Sequence, residues 1–174
     1  MAKVNIAITA AANVLALINA ANPSLNATAA QITPGSVVSE AGTGGRNTSI
    51  TYTAVDNQGF SGTQTFSYTR RALTAGEGIA TAKAIPVVIA EGDTDAQVLT
   101  KVATALGLIE SEISLSNIVR PVDEDTNGSA DVVADAGSLL YTGTFAAVLS
   151  VPDADVPLNE AASVTDLDGF DAEG

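Results

Sequence analysis

Apolar residues recur every three or four positions in two segments of the chain, and this spacing predicts two amphipathic helices. The first helix is predicted over Ala7–Ala21. It ends before Pro23, because the residue ahead of a proline is driven out of the helical region. The second is predicted to begin at Thr94, where Gln97 completes a capping box. Each helical segment precedes short strand-like runs, so the pattern predicts the order helix then strands twice.

Strict alternation of apolar and polar residues predicts a β-hairpin in the first half of the chain. Ile50 and Tyr52 share one face of its first strand. Phe66 and Tyr68 share one face of its second strand, and the turn between them is assigned to Asp56–Gly59. Further strands are predicted at residues 85–90, 132–134 and 138–151.

Two similar tetrapeptides stand 81 residues apart and each leads into a strand-like run. Residues 60–63 read Phe-Ser-Gly-Thr and residues 141–144 read Tyr-Thr-Gly-Thr. We interpret them as the trace of a duplicated helix-plus-hairpin unit. The predicted fold is therefore α+β, with two pseudo-repeated halves that each pack a helix on a small antiparallel β-sheet. The predicted boundaries are a first unit at 1–72, a linker at 73–84, a second unit at 85–158 and an acidic tail at 159–174.

The composition removes most catalytic chemistry. The chain contains no histidine, cysteine or tryptophan. Disulfides, thiolate nucleophiles, thiolate zinc sites and serine–histidine pairs are therefore excluded. Acid–base catalysis would need carboxylates, lysine or tyrosine with shifted pKa values, and no such pair stands out. We predict that the chain is not an enzyme, and a histidine-free carboxylate hydrolase is the least favoured of the alternatives.

Charge is distributed unevenly along the chain. Residues 1–83 carry five basic and three acidic groups, whereas residues 84–174 carry two basic and seventeen acidic ones. Such a surface repels a phosphate backbone, so no nucleic-acid partner is predicted. The first apolar run is interrupted by Thr9, Asn13 and Asn19, so no membrane partner is predicted either. The acidic half serves solubility, or it faces a basic neighbour or the weakly basic half of another copy.

An acidic segment matches the first part of a calcium-binding loop, in which oxygen ligands alternate with other residues. The candidate ligands are Asp123, Asp125, Asn127 and Asp131. The twelfth position, where a bidentate Glu is expected, is occupied by Ala134. The alternative interpretation is an acidic turn around Asn127-Gly128, a dipeptide favoured in tight hairpins. No other cofactor is predicted.

Three arginines in the first half are candidates for contact with a neighbouring subunit. Arg70 and Arg71 follow the predicted hairpin, and Arg46 follows a glycine-rich loop. A guanidinium pairs well with a carboxylate of another protein. The alternative is that these side chains are solvated at the ends of strands.

Several segments resemble a helix-and-hairpin domain of structural proteins in tailed bacteriophages. They are the hairpin Asn47–Ala54 with Gly59–Thr63, the helical segment Leu17–Pro23 and the segment Leu139–Thr144. The resemblance covers residues 1–150 and omits the acidic tail. It implies a virion component with no catalytic residues, either a capsid decoration protein or a tail or neck accessory protein.

The resemblance also implies partners and a location. We expect contacts with other virion proteins and with copies of the same chain, as a homo-oligomer or a lattice-bound subunit. The chain would be synthesised in the host cytoplasm and end in the virion. The alternative function is a calcium-dependent adhesin or receptor-binding module, for which the acidic loop would supply the ion site.

Overall fold

The computed structural model describes residues 3–39, 43–73 and 86–152, and within those ranges the fold is mixed α and β. The helices are α1 (Ala10–Ala21) and α2 (Asp95–Leu106). The strands are β1 (Ile32–Ser39), β2 (Thr48–Ala54), β3 (Thr63–Tyr68), β4 (Arg71–Ala72), β5 (Val87–Val88), β6 (Ile113–Val119), β7 (Gly128–Ala134), β8 (Tyr141–Thr142) and β9 (Thr144–Ser150). Short 3-10 turns span Thr43–Gly45 and Glu110–Glu112.

Helix α1 begins three residues later than the periodicity predicts. Thr9 caps it, since its hydroxyl accepts a hydrogen bond from the backbone N–H of Ala12 at 3.2 Å. The preceding residues form a separate turn because the side chain of Asn13 holds the backbone N–H and C=O of Asn5 at 2.8 and 2.9 Å. The end at Ala21, with Asn22 as the C-terminal cap, is as predicted.

Helix α2 confirms the predicted start. The hydroxyl of Thr94 accepts from the backbone of Gln97, and the Gln97 side chain accepts from the backbone of Thr94. Gly107 ends the helix in the left-handed conformation, at φ 61°. Val98 and Val102 are fully buried on its inner face. No helix in the described ranges is long and apolar enough to cross a membrane.

The first sheet is a three-stranded antiparallel meander in the order β1-β2-β3, which we call the first meander. Its hairpin confirms the alternation predicted from the sequence. Ile50 and Tyr52 are buried, whereas Thr51 and Thr53 on the opposite face are exposed. Tyr68 is also buried, so the inner face of the sheet lies on the core.

The second sheet has four strands in the order β5-β9-β7-β6. Strands β6, β7 and β9 form a second antiparallel meander, and β5 lies parallel to β9 on its outer side. Strand β7 begins at Gly128, earlier than predicted. A side chain at Gly128 would collide with the backbone of Val119 and Pro121. Close approach of the chain, rather than a tight turn at Asn127-Gly128, therefore requires this glycine.

The two meanders are joined by a short parallel pair, β4 with β8. The backbone N–H of Arg71 donates to the carbonyl oxygen of Leu140, and that of Leu73 donates to Thr142, both at 2.8 Å. Gly143, which has φ 84°, divides the predicted strand 138–151 into β8 and β9. Buried apolar residues from both helices and both sheets form one cluster.

Two of the predicted boundaries fall largely outside the described residues. The acidic tail 159–174 lies outside them completely. Of the predicted linker 73–84, only Leu73 is described, and it is fully buried beside β8. Within the described ranges, each helix is followed by an antiparallel meander.

Candidate functional site

Arg70 lies just beyond β3 and is buried despite its charge, with an exposed fraction of 6%. Its guanidinium donates hydrogen bonds to Thr48 Oγ1 at 2.7 Å and to Ser39 Oγ at 2.5 Å. A third bond, of 2.9 Å, reaches the carbonyl oxygen of Ser138 in the other half of the chain. The backbone of Arg70 is held by the side-chain amide of Asn47. Arg70 thus ties the first meander to the segment that precedes β8.

Glu112 holds the same segment from the opposite side. It is 7% exposed, and its Oε2 accepts from Ser138 Oγ at 2.7 Å. The same oxygen accepts from the backbone N–H groups of Leu139 and Leu140 at 2.5 and 3.1 Å. Hydrogen bonds to the charged form offset the cost of burying a carboxylate. Arg70, Glu112 and residues 138–141 together form what we call the junction.

Two tyrosines complete the junction through their hydroxyl groups. Tyr68 donates to the carbonyl oxygen of Leu139 at 2.9 Å, and Tyr141 accepts from the backbone N–H of Ile109 at 3.3 Å. Burial raises the pKa of Tyr68 to about 12, and Arg70 opposes that rise only partly. Burial likewise raises the pKa of Tyr141. Both phenols are therefore neutral donors or acceptors in neutral solution.

The junction is built to hold its parts in place. Ser138 and Glu112 are as close as a hydroxyl and a general base in a catalytic pair. However, Ser138 is 2% exposed, and its oxygen also accepts from the backbone N–H of Tyr141 at 3.0 Å. The serine therefore bridges a buried cation and a buried anion: its carbonyl accepts from Arg70 and its hydroxyl donates to Glu112.

A surface groove of about 580 Å³ borders the junction. It is lined by Pro34–Val37 of β1, by Ala136, Gly137 and Leu139, and by Glu112. Among these described lining residues, Glu112 is the only acid. The described lining therefore offers one carboxyl group, whereas the hydrolase alternative requires two.

The other candidate surface is the outer edge of β3. Ala54 donates its backbone N–H to the carbonyl oxygen of Gly62 at 2.9 Å, and inward and outward residues alternate from that pair. The backbone groups of Gln64, Phe66 and Tyr68 consequently point to β2. The backbone groups of the intervening residues point away from β2. We call these outward groups, on Thr63, Thr65 and Ser67, the β3 edge.

Hydroxyl side chains cover the outer face beside the β3 edge. Thr65 Oγ1 forms a 2.7 Å hydrogen bond with Thr51 Oγ1 across the two strands. From the inner face, the Gln64 side-chain amide donates to the carbonyl oxygen of Thr65 at 2.9 Å. In the part of the chain that the structure describes, β2 lies on one side of β3 and no strand lies on the other. The β3 edge thus presents backbone donors and acceptors of the kind that bind another strand.

The three arginines predicted as interface residues occupy different surroundings. Arg70 is used inside the chain, because its guanidinium bonds Thr48, Ser39 and Ser138. Arg46 is exposed, and Arg71 is half-buried in β4. Contact of Arg46 and Arg71 with another subunit stays a prediction. The sequence pattern did not distinguish the buried Arg70 from the half-buried Arg71 and the exposed Arg46, because the contact of Arg70 with Ser138 joins residues far apart in the sequence.

The predicted calcium ligands do not converge. Asp123, Asp125 and Asn127 lie in an exposed loop, whereas Asp131 is in β7 and accepts from the Asn117 side chain at 2.7 Å. In the described ranges, no group of three or more acids is placed to hold a metal ion. Calcium binding stays a prediction.

Sequence patterns did not single out Glu112 or Ser138. Each forms its decisive contacts with residues more than twenty positions away, and local periodicity carries no information at that distance.

The fold and the junction define a mixed α and β protein in which two meanders are joined through buried charges. A family model described as a family of unknown function (DUF7941) matches residues 3–172, and the chain belongs to that family. No curated protein and no solved structure matches the chain.

Proposed function

We propose that this chain is a structural subunit of a tailed-bacteriophage virion, present in several copies and attached by protein–protein contacts. The resemblance of its hairpin and helical segments to phage structural domains supplies the class. The observation that carries the proposal is the β3 edge, a regular strand whose outward side has no neighbouring strand among the described residues. Such an edge is a template for pairing with another chain, and it is a liability for a protein that stays alone.

Rigidity of the chain supports the same role. Within the junction, Arg70 binds the end of the first meander to Ser138, and Glu112 holds Ser138 and Leu140 in the same segment before β8. A buried polar network with its members bonded rigidifies the structure around it. A lattice subunit that transmits contacts between neighbours requires this property.

We also propose that the two halves are pseudo-repeats. Strands β1 and β6 begin 81 residues apart, at Ile32 and Ile113, and β3 and β9 begin 81 apart, at Thr63 and Thr144. The first strand of each meander carries one register shift. The residue before β3 and the residue before β9 are both glycines with positive φ. This agreement supports duplication of one helix-plus-meander unit.

The proposal includes partners and excludes catalysis. The partners are other virion proteins and copies of this chain. No nucleic acid is included because residues 84–174 carry seventeen acids, and no membrane is included because Thr9, Asn13 and Asn19 interrupt the first apolar run. The absence of histidine and cysteine supports a non-catalytic role. Capsid decoration and tail or neck attachment both fit these properties.

The test is quantitative mass spectrometry of phage particles purified from cells that carry the gene. We expect the chain in the particles at a copy number that indicates its place. A number matching the capsid lattice indicates decoration, and one near that of a ring at the neck or baseplate indicates an accessory protein. Particles that lack the chain would contradict the proposal.

A further inference from the structure

Strand β3 differs from the other sheet edges of the described chain because it has no proline and no register shift and is six residues long. Strand β1 carries Pro34 and a register shift, and β6 carries a register shift next to Asn117, whose φ is 51°. Strand β5 is two residues long. Prolines, bulges and short strands are the usual ways to prevent pairing with other chains. Strand β3 has none of them: all six of its residues pair with β2 without a shift.

The corresponding edge in the second meander is covered by the chain itself. Strand β9 is also the third strand of its meander, and β5 lies beside it in parallel register, with Ile89 donating to Ser150 at 2.8 Å. The fold therefore already accommodates strand addition at the outer side of a third strand. In the first meander the described residues leave this position to another chain.

Charge indicates a second copy as the occupant. The chain carries a net charge of −13, so copies repel one another except where the contacting surfaces lack acids. Strands β2 and β3 contain no ionisable group except the neutral phenols of Tyr52 and Tyr68. Two β3 edges can therefore approach without bringing like charges together.

We propose that two copies of this chain pair through their β3 edges, antiparallel and related by a two-fold axis, to form one continuous six-stranded sheet. The inference rests on the proposed multi-copy role. The register follows from the outward residues: Thr65 lies opposite Thr65 of the other copy, and Thr63 lies opposite Ser67. Each such pair exchanges two backbone hydrogen bonds. On the inner face, Gln64 lies beside Phe66 of the other copy and covers that half-buried ring.

A single-cysteine variant tests this register. Because the chain has no cysteine, Thr65→Cys introduces the only thiol. Directly opposed residues of an antiparallel pair are close enough for a disulfide. We expect Thr65→Cys to form a covalent dimer under mild oxidation. Thr53→Cys, exposed on the central strand β2, is the matched control and is expected to stay uncrosslinked.

Charge reversal at the same position tests whether the contact holds the dimer. Thr65→Lys and Thr65→Glu each place like charges opposite one another, which destabilises cross-strand pairs. In sedimentation velocity we expect each variant alone to raise the dimer dissociation constant by about tenfold or more. An equimolar mixture is expected to restore the dimer. Thr53→Lys should dimerise like the unmodified chain.

The results that overturn the inference are distinct from those that overturn the proposed function. A chain that is monomeric at every concentration, or a dimer that is indifferent to charge at residue 65, ends the β3 pairing. Neither result removes the chain from a virion, which mass spectrometry of particles decides. A dimer paired through β3 from a chain absent from particles would end the virion role alone.

Discussion

The third strands of the two meanders each follow a glycine with positive φ but have opposite surroundings. Gly62 and Gly143 precede them, with φ values of 79° and 84°, and a threonine opens each strand. Strand β9 buries Phe145, Ala147 and Leu149 and is flanked by strands on both sides. Strand β3 buries only its last residue and is flanked on one side among the described residues.

This difference shows which property of a strand is determined by the glycine that precedes it. A glycine with positive φ sets where the strand starts, since other residues rarely adopt that conformation. The amino-acid composition of β9 and of β3 differs in line with the number of strands that flank each of them. Strand β9 is apolar on its inner face and mostly small or apolar outside, whereas β3 carries Thr, Gln and Ser beside water. The variants below test this comparison.

The largest expected effect distinguishes the covered strand from the open one. Leu149→Ala should lower the free energy of unfolding by about 3 kcal/mol, because its side chain is fully buried and leaves a cavity. Thr65→Ala should cost about 0.5–1 kcal/mol, since it loses only the hydroxyl bond to Thr51. Urea denaturation at a concentration where the chain is monomeric measures both. Equal costs would remove the distinction between the strands.

The next largest effect concerns the junction that links the two meanders. Arg70→Met should cost about 2–3 kcal/mol, because hydrogen bonds to a buried charged group are strong and their acceptors would be left unpaired. Arg46→Met is the exposed control and should stay within about 0.5 kcal/mol. The check is again the midpoint in urea. Similar values for both variants would show that the junction does not join the meanders.

Two tyrosines on the first meander provide a matched pair. Tyr68→Phe should cost about 1 kcal/mol, since the hydroxyl bond to Leu139 is lost. Tyr52→Phe should be neutral or stabilising, because the Tyr52 hydroxyl is buried without a partner among the described residues. Thermal unfolding distinguishes the two. A larger loss for Tyr52→Phe would indicate that its hydroxyl has a partner outside those residues.

The last effect is negligible at neutral pH and develops only in alkaline solution. The pKa of Tyr68 is about 12 in the folded chain and about 10 when unfolded, so the unfolded state loses its proton first. Stability from this group is complete below pH 10 and is lost as the pH rises towards 12. Tyr68→Phe should flatten that decline, as measured by urea midpoints across the range. An unchanged decline would place the titration in Tyr52 and Tyr141, whose pKa values are also raised.

Local signals in the sequence predicted a large part of the fold. The capping box of Thr94 and the alternation around Ile50 and Phe66 lie within a few residues, and both are confirmed. The pairing of β4 with β8 was not predicted, because each strand has two residues and the partners are far apart in sequence. The four-stranded sheet was missed for the same reason, since β5 reaches β9 across α2 and three other strands.

The candidate site was predictable only in part. Arg70 was identified as a contact residue, but its partners belong to its own chain, and burial could not be inferred from the neighbouring Arg71. The β3 edge was present in the sequence as a run without charge or proline from Thr63 to Tyr68. Its significance became visible only once the topology placed it on the outside of a sheet.

Residue-resolved amide hydrogen exchange at two protein concentrations tests the central claim most directly. The amides of Gln64 and Phe66 point to β2 and should exchange slowly throughout, as an internal control. The outward amides of Thr65 and Ser67 should exchange rapidly in the dilute chain and slowly in the concentrated one, because a second copy then occupies the β3 edge. Outward amides that stay fast at both concentrations, or slow at both, would contradict it.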